Sequence, residues 1–94
     1  MRLTKDQVDY VARSIRNHLG HNAKIWIFGS RLDDRKKGGD LDLYVETQPC
    51  PLHTELRCKI ELEEALGLPV DLIIRTDGDN TPIACIAKRQ GKLI

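Results

Sequence analysis

Long apolar runs, cysteine pairs and a strong net charge are all missing from this 94-residue sequence. No stretch approaches the roughly 20 consecutive apolar residues of a membrane-spanning helix, and no N-terminal signal is visible. A net charge of only +1 gives no general basic excess for binding nucleic acid without sequence preference. These absences predict a cytoplasmic protein with no membrane segment, for which nucleic acid is not the main partner.

The three cysteines, Cys50, Cys58 and Cys85, form neither a CxxC pair nor a Cys/His cluster at zinc-binding spacing. An odd number of cysteines without a signal peptide favours reduced thiols, and we interpret them as small apolar residues. The chain has 40% hydrophobic and 31% charged residues, which is typical of a globular protein. Its length predicts a single domain over residues 1–94.

The stretch Ile25–Glu46 is the most informative part of the sequence. Its apolar beginning, Ile25–Phe28, stops abruptly at Gly29 and Ser30. Small residues in a turn between a strand and a helix leave backbone N–H groups available to hold phosphate, and glycine lets the backbone approach a ligand closely. Arg31 adds a positive charge with fork geometry. These residues form a candidate phosphate-binding turn.

The segment Asp40–Val45 alternates polar and apolar residues with a period of two, which predicts a strand. Its carboxylates, Asp40 and Asp42, would share one face with Tyr44, about 6–7 Å apart along the strand. Two carboxylates this close raise each other's pKa unless a cation lies between them. Mg²⁺ prefers carboxylate oxygens and a bound phosphate. The opposite, core-facing side of the strand would carry Leu41, Leu43 and Val45.

Each fragment of this pattern is common by itself. Gly-Ser is a frequent turn, Asp-x-Asp is often the solvated face of a half-buried sheet, and the basic run Arg35–Lys37 is typical of a solvated loop, with steering of a triphosphate as its alternative role. The joint arrangement is much less expected by chance. It joins a strand, a Gly-Ser turn, a spacer, a glycine pair and a second strand with Asp-x-Asp.

This arrangement resembles the nucleotidyltransferase superfamily that includes DNA polymerase beta, and specifically its minimal single-domain members from bacteria and archaea. The family signature is Gly-Ser, a spacer, Asp-x-Asp on a strand, and a third carboxylate on a later strand. Gly29, Ser30, Asp40 and Asp42 match its first parts. Many members have serine before the first aspartate, where this chain has Gly39, which removes one hydroxyl contact and leaves both carboxylates in place.

A third acid, Asp71, interrupts the apolar segment Val70–Ile74, which predicts another strand. Val70, Leu72 and Ile74 would share one face, with Asp71 on the other. A lone acid is costly if it is buried without a partner, so either a structural salt bridge or a metal site would explain it. The resemblance implies the metal site, because Asp71 falls where the family has its third carboxylate.

The other elements complete an α/β prediction. Gly20 and Gly67 mark helix ends, and Pro82 marks a helix start. We expect the polymerase beta-like fold, a short mixed sheet of three or four strands with the helices mainly on one face and the acids on the other, open face. The predicted helices are Thr4–Leu19, Leu52–Leu66 and Pro82 to about Arg89, and the predicted strands are a central Lys24–Phe28, Asp40–Val45, Val70–Ile74 and an edge segment Leu93–Ile94.

The two later helices are predicted from the spacing of their apolar residues. The helix Leu52–Leu66 is indicated by apolar residues at four-residue steps, and the last helix should bury a stripe of three residues against the sheet. In the helix Leu52–Leu66, the residues at four-residue steps are Leu52, Leu56 and Ile60, with Leu62 and Leu66 beside them. In the last helix, the predicted buried stripe is Ile83, Ile86 and Ala87.

The resemblance implies a transferase that moves a nucleotide from ATP, or another NTP, to a hydroxyl and releases pyrophosphate. Two Mg²⁺ ions would be held by the three carboxylates, and Asp71 would be the general base. The predicted site residues are the catalytic and metal-binding Asp40, Asp42 and Asp71 and the phosphate-binding Gly29, Ser30 and Arg31.

A chain this short has little room for an acceptor-binding domain. The resemblance implies a small helical partner, either a substrate-binding protein or a toxin of the HEPN ribonuclease type that this chain would inactivate with AMP; a homodimer is the other way to complete the site. Two alternatives remain. A non-catalytic binding module would neutralise its partner by contact alone, and an aminoglycoside-modifying enzyme would need additional residues to hold the drug.

Overall fold

The computed structural model describes residues 4–28 and 41–94, and this part of the chain forms three helices and a four-stranded mixed sheet. The helices and strands predicted from the sequence for these ranges are confirmed, with ends that differ by at most two residues. In chain order they are α1 (Lys5–Leu19), β1 (Lys24–Phe28), β2 (Leu41–Thr47), α2 (Leu52–Leu66), β3 (Val70–Thr76), α3 (Pro82–Gln90) and β4 (Lys92–Leu93).

The sheet has the strand order β3-β2-β1-β4. Strand β1 pairs antiparallel with both β2 and β4, and β2 pairs parallel with β3. The parallel pair is joined by α2, as parallel strands need a crossover connection. The predicted central position of β1 is confirmed, because it has a paired strand on each side, and the apolar end of the chain forms the edge strand β4.

Helices α1 and α2 cover one face of the sheet, and the main core lies between them and the strands. The three apolar residues of β2 that were predicted to face the core are fully buried there, so the period-two pattern assigned the strand faces correctly. Full burial of a valine or leucine side chain contributes about 1.5–3 kcal/mol. The core residues are Val11, Ile15, Leu19, Ala23, Ile25, Ile27, Leu41, Leu43, Val45, Cys58, Leu62 and Val70.

Polar contacts fix α1 at its start and against α2. Thr4, the N-cap residue of α1, forms a capping box with Gln7, in which each backbone N–H donates to the other residue's side chain. Further along, the hydroxyl of Ser14 donates to Glu61 Oε2 at 2.6 Å, and His18 Nε2 lies 2.7 Å from the same oxygen. These hydrogen bonds lower the pKa of Glu61, and the bond from Ser14 has the largest effect.

Helix α3 packs against the other face of the sheet. This face was predicted to be open, but α3 covers part of it. Its small residues Ala84 and Ala87 are fully buried against Tyr44. The predicted buried stripe is therefore wrong in part: Ile86 is exposed, and Ala84 takes its place. Because alanine is small, α3 can lie close to the bulky side chains of the sheet. At this short distance there is no room for an isoleucine between the helix and the sheet.

The four-residue repeat in α2 does not point toward the core. Leu52, Leu56 and Ile60 are exposed to solvent, whereas Cys58 and Leu62 are buried. Burial raises the pKa of the Cys58 thiol to about 12, in agreement with its interpretation as an apolar residue. No helix of the described residues is long and apolar enough to cross a membrane.

Candidate functional site

Two of the three predicted carboxylates are neighbours in the sheet. The parallel pairing of β2 with β3 places Asp42 directly beside Asp71. Paired residues project from the same side of a sheet, and adjacent strands are about 4.8 Å apart. The antiparallel pairing with β1 places Phe28 on the other side of Asp42. The two acids therefore share the face of the sheet that carries Tyr44 and α3.

Asp71 is exposed at the edge of the sheet, in β3, whereas Asp42 is half-buried in the inner strand β2. The burial cost that motivated either a salt bridge or a metal site for Asp71 does not arise, because this residue is exposed. Two carboxylates on one face are hard oxygen donors of the kind that Mg²⁺ prefers, so the described residues fit this ion.

The other predicted site residues, Gly29, Ser30, Arg31 and Asp40, lie outside the described residues, as does the basic run 35–37. Within the described ranges, no group of three histidine, cysteine, aspartate or glutamate side chains is gathered at one place. The predicted set of three needs Asp40, so it stays a prediction. Strand β1 ends at Phe28, the pairing partner of Asp42, and β2 begins at Leu41, the residue before Asp42.

A buried carboxylate that the sequence analysis missed lies on the same face, four residues beyond Asp42. Glu46 is 2% exposed, and its Oε2 lies 2.5 Å from Lys88 Nζ of α3. The hydroxyl of Tyr44 donates to the same oxygen at 2.8 Å, and the backbone N–H of Gly78 donates to Oε1 at 3.3 Å. The Lys88 ammonium also donates to the carbonyl of Asp79 at 3.0 Å. The network joins β2, α3 and the turn between β3 and α3.

These contacts set the protonation states within the network. Burial alone would raise the pKa of Glu46, but hydrogen bonds from Lys88, Tyr44 and Gly78 outweigh it, so the pKa of this carboxyl is lowered. Burial raises the pKa of Tyr44 most, and the hydrogen bond to Glu46 raises it further. Tyr44 therefore stays a neutral hydrogen-bond donor and Glu46 a charged acceptor. In the sequence, the alternation of Asp42, Tyr44 and Glu46 indicates only that these three side chains share one face of β2.

Replacement of Tyr44 by phenylalanine should lower the free energy of unfolding by about 1.5–3 kcal/mol, because a buried carboxylate loses one of its donors. Urea unfolding measures the change. Tyr10→Phe is the matched control, since Tyr10 of α1 is half-buried and its hydroxyl is not part of this network. An equal loss in both variants would show that the Tyr44 hydroxyl is unimportant for stability.

The fold is shared with solved structures of toxin-antitoxin systems. A crystal structure of a toxin-antitoxin with AMP-PNP matches 97% of this chain and 72% of its own chain, with a TM-score of 0.73 and 20% sequence identity. A crystal structure of a mutant form of the toxin-antitoxin MntA-HpeT matches 98% of this chain and 71% of its own, with a TM-score of 0.68 and 20% identity. The predicted α/β fold class is thereby confirmed.

The chain matches no protein-family model, and no curated protein matches its sequence. At 20% identity, the similarity to these two structures establishes the architecture. The chemistry has to be argued from the residues that this architecture brings together.

Proposed function

We propose that this chain is a Mg²⁺-dependent nucleotidyltransferase that moves AMP from ATP, or NMP from another NTP, to a hydroxyl group and releases pyrophosphate. The observation that carries the proposal is the direct pairing of Asp42 with Asp71 on one face of the sheet. It gains support from the shared fold, because one structure with this fold was crystallised with AMP-PNP.

The carboxylates Asp40, Asp42 and Asp71 would hold the metal ions. Bound Mg²⁺ would lower the pKa of the attacking hydroxyl and neutralise charge on the phosphates. Asp71 is the proposed general base, because its exposed position at the sheet edge leaves it accessible to an acceptor. The acceptor oxygen forms a bond to the α-phosphorus, the bond to the leaving pyrophosphate breaks, and the acceptor proton passes to Asp71.

The remaining predicted residues would bind the other end of the nucleotide. Gly29 and Ser30 would hold the β- and γ-phosphates through backbone N–H groups and a hydroxyl, and Arg31 would neutralise developing charge. This placement is supported by the end of β1 at Phe28, which is the pairing partner of Asp42. A phosphate-binding turn that follows Phe28 would therefore begin close to Asp42.

The acceptor in this proposal is carried or presented by a small helical partner protein. The two reported structures with this fold come from toxin-antitoxin systems, which favours the role of an antitoxin that inactivates a HEPN-type toxin by attaching AMP. A substrate-binding partner is the other form of the same proposal, and homodimerisation would be a further way to complete the acceptor site.

Asp71→Asn is the variant that tests the proposed base. We expect kcat for nucleotide transfer to fall by about 10²–10⁴-fold, the usual contribution of a positioned base, with the affinity for the partner unchanged. The matched control is Asp77→Asn, which removes an exposed acid just beyond the end of β3. Pyrophosphate release measures the rate.

Unchanged transfer in Asp71→Asn would contradict its role as a base. Absence of transfer by the unmodified chain, together with full neutralisation of the partner by Asp71→Asn, would instead favour a non-catalytic binding module. Transfer to an aminoglycoside by the isolated chain would identify a diffusible acceptor.

A further inference from the structure

The C-terminal end of α3 lies unusually close to the end of β1. Gly91, which ends the helix, donates its N–H to the carbonyl of Ala87 at 2.7 Å. A Cβ atom at Gly91 would collide with that carbonyl oxygen and would lie 3.0 Å from Ile27 O and 3.2 Å from Phe28 Cβ. The φ angle of −82° is accessible to any residue, so glycine is needed here for space.

The chain on either side of Gly91 is held in place. Beyond it, Lys92 pairs with Ile27 in the sheet, the N–H of Ile94 donates to Ile25 O at 2.9 Å, and the Arg16 guanidinium donates to Ile94 O at 3.2 Å. Before it, Lys88 is bound to Glu46. The chain is therefore anchored both before and after residue 91. A side chain at this position could be accommodated only if α3, β4 or the end of β1 shifted.

The contact lies where the proposed site begins. Phe28 is the last residue of β1, the pairing partner of Asp42 and the residue immediately before Gly29. We propose that Gly91 is a positioning residue of the nucleotide site: because it has no side chain, α3 can pack against Phe28, and this contact fixes the end of β1 beside Asp42. This inference rests on the proposed nucleotidyltransferase function.

The test compares Gly91→Ala with Gly67→Ala in the complete chain with its partner. Gly67 ends α2 at a φ of +69°, and a Cβ there meets nothing within 4 Å. Both substitutions should lower Tm, by about 4–8 °C for Gly67→Ala. Only Gly91→Ala should raise KM for ATP, by at least about tenfold, since small misplacements of reacting groups are costly. KM for the acceptor should not change.

A second variant covers the case in which Gly91→Ala does not fold. Arg16→Met removes the hydrogen bond that holds Ile94 beside β1 without introducing a clash. We expect it to raise KM for ATP by about threefold, the effect of one hydrogen bond, with little change in kcat.

The outcomes separate this inference from the proposed function. An unmodified chain that neither transfers nucleotide nor binds AMP-PNP would contradict the function itself. An active unmodified chain, with the same KM for ATP in Gly91→Ala, Gly67→Ala and Arg16→Met, would overturn the positioning role and leave the function intact. If Gly91→Ala does not fold, the KM for ATP of Arg16→Met decides the matter.

Discussion

Replacement of Asp42 by asparagine is expected to reduce nucleotide transfer by at least about 10³-fold, because it removes a negative charge from the centre of the proposed metal site. Asp42 lies between Phe28 and Asp71 in the register of three strands. Asparagine has nearly the same shape, so β2 and its neighbours should pair as before. Incubation with labelled ATP, Mg²⁺ and the partner protein measures the transfer.

The matched control is Asp9→Asn, which removes one exposed carboxylate from the polar side of α1. It should retain full activity. Transfer by Asp42→Asn within about threefold of the unmodified chain would rule out a metal site on this carboxylate, because loss of a metal ligand has a far larger effect.

Replacement of Lys88 by methionine should lower the free energy of unfolding by about 3 kcal/mol, since it leaves the carboxylate of Glu46 buried without its cation. The Glu46 side chain is 3% exposed and that of Lys88 is 29% exposed, so the effect should lie at the lower end of the range for buried pairs. Urea unfolding followed by circular dichroism gives the difference. Lys59→Met, at a half-buried lysine of α2, is the control.

The double variant Glu46→Gln with Lys88→Met should recover part of this loss, because no charge then remains buried.

The pH dependence of stability follows from the lowered pKa of Glu46. Its contribution to stability is present above the unfolded pKa near 4.5 and is lost as the pH falls through the lower folded pKa. Glu46→Gln should lack this loss in acid. Equal destabilisation in Lys88→Met and Lys59→Met would contradict the importance of the pair.

Local sequence patterns were sufficient to predict the strands and helices of this fold. Alternation in β2 assigned Leu43 to the core and Asp42 to the opposite face, and the uninterrupted apolar residues of β1 predicted a central strand. These predictions succeeded because period and turn chemistry act over a few residues. The same alternation in β3 placed Asp71 on the face that proved to carry Asp42.

Contacts between residues distant in the sequence could not be predicted in this way. The pairing of Glu46 with Lys88 depends on how α3 crosses the sheet, and nothing near either residue indicates it. The exposure of Leu56 and the burial of Ala84 have the same origin. A helical repeat shows that a side is apolar, but the space left by neighbouring elements decides which side is buried.

Mass spectrometry of the partner protein, after incubation with this chain, ATP and Mg²⁺, is the decisive experiment. The product of the neighbouring gene is the partner to use. We expect a mass gain of one or more AMP units on the partner, which is absent with Asp42→Asn. A stable complex without any mass gain, with each of the four NTPs, would contradict transfer to a protein partner.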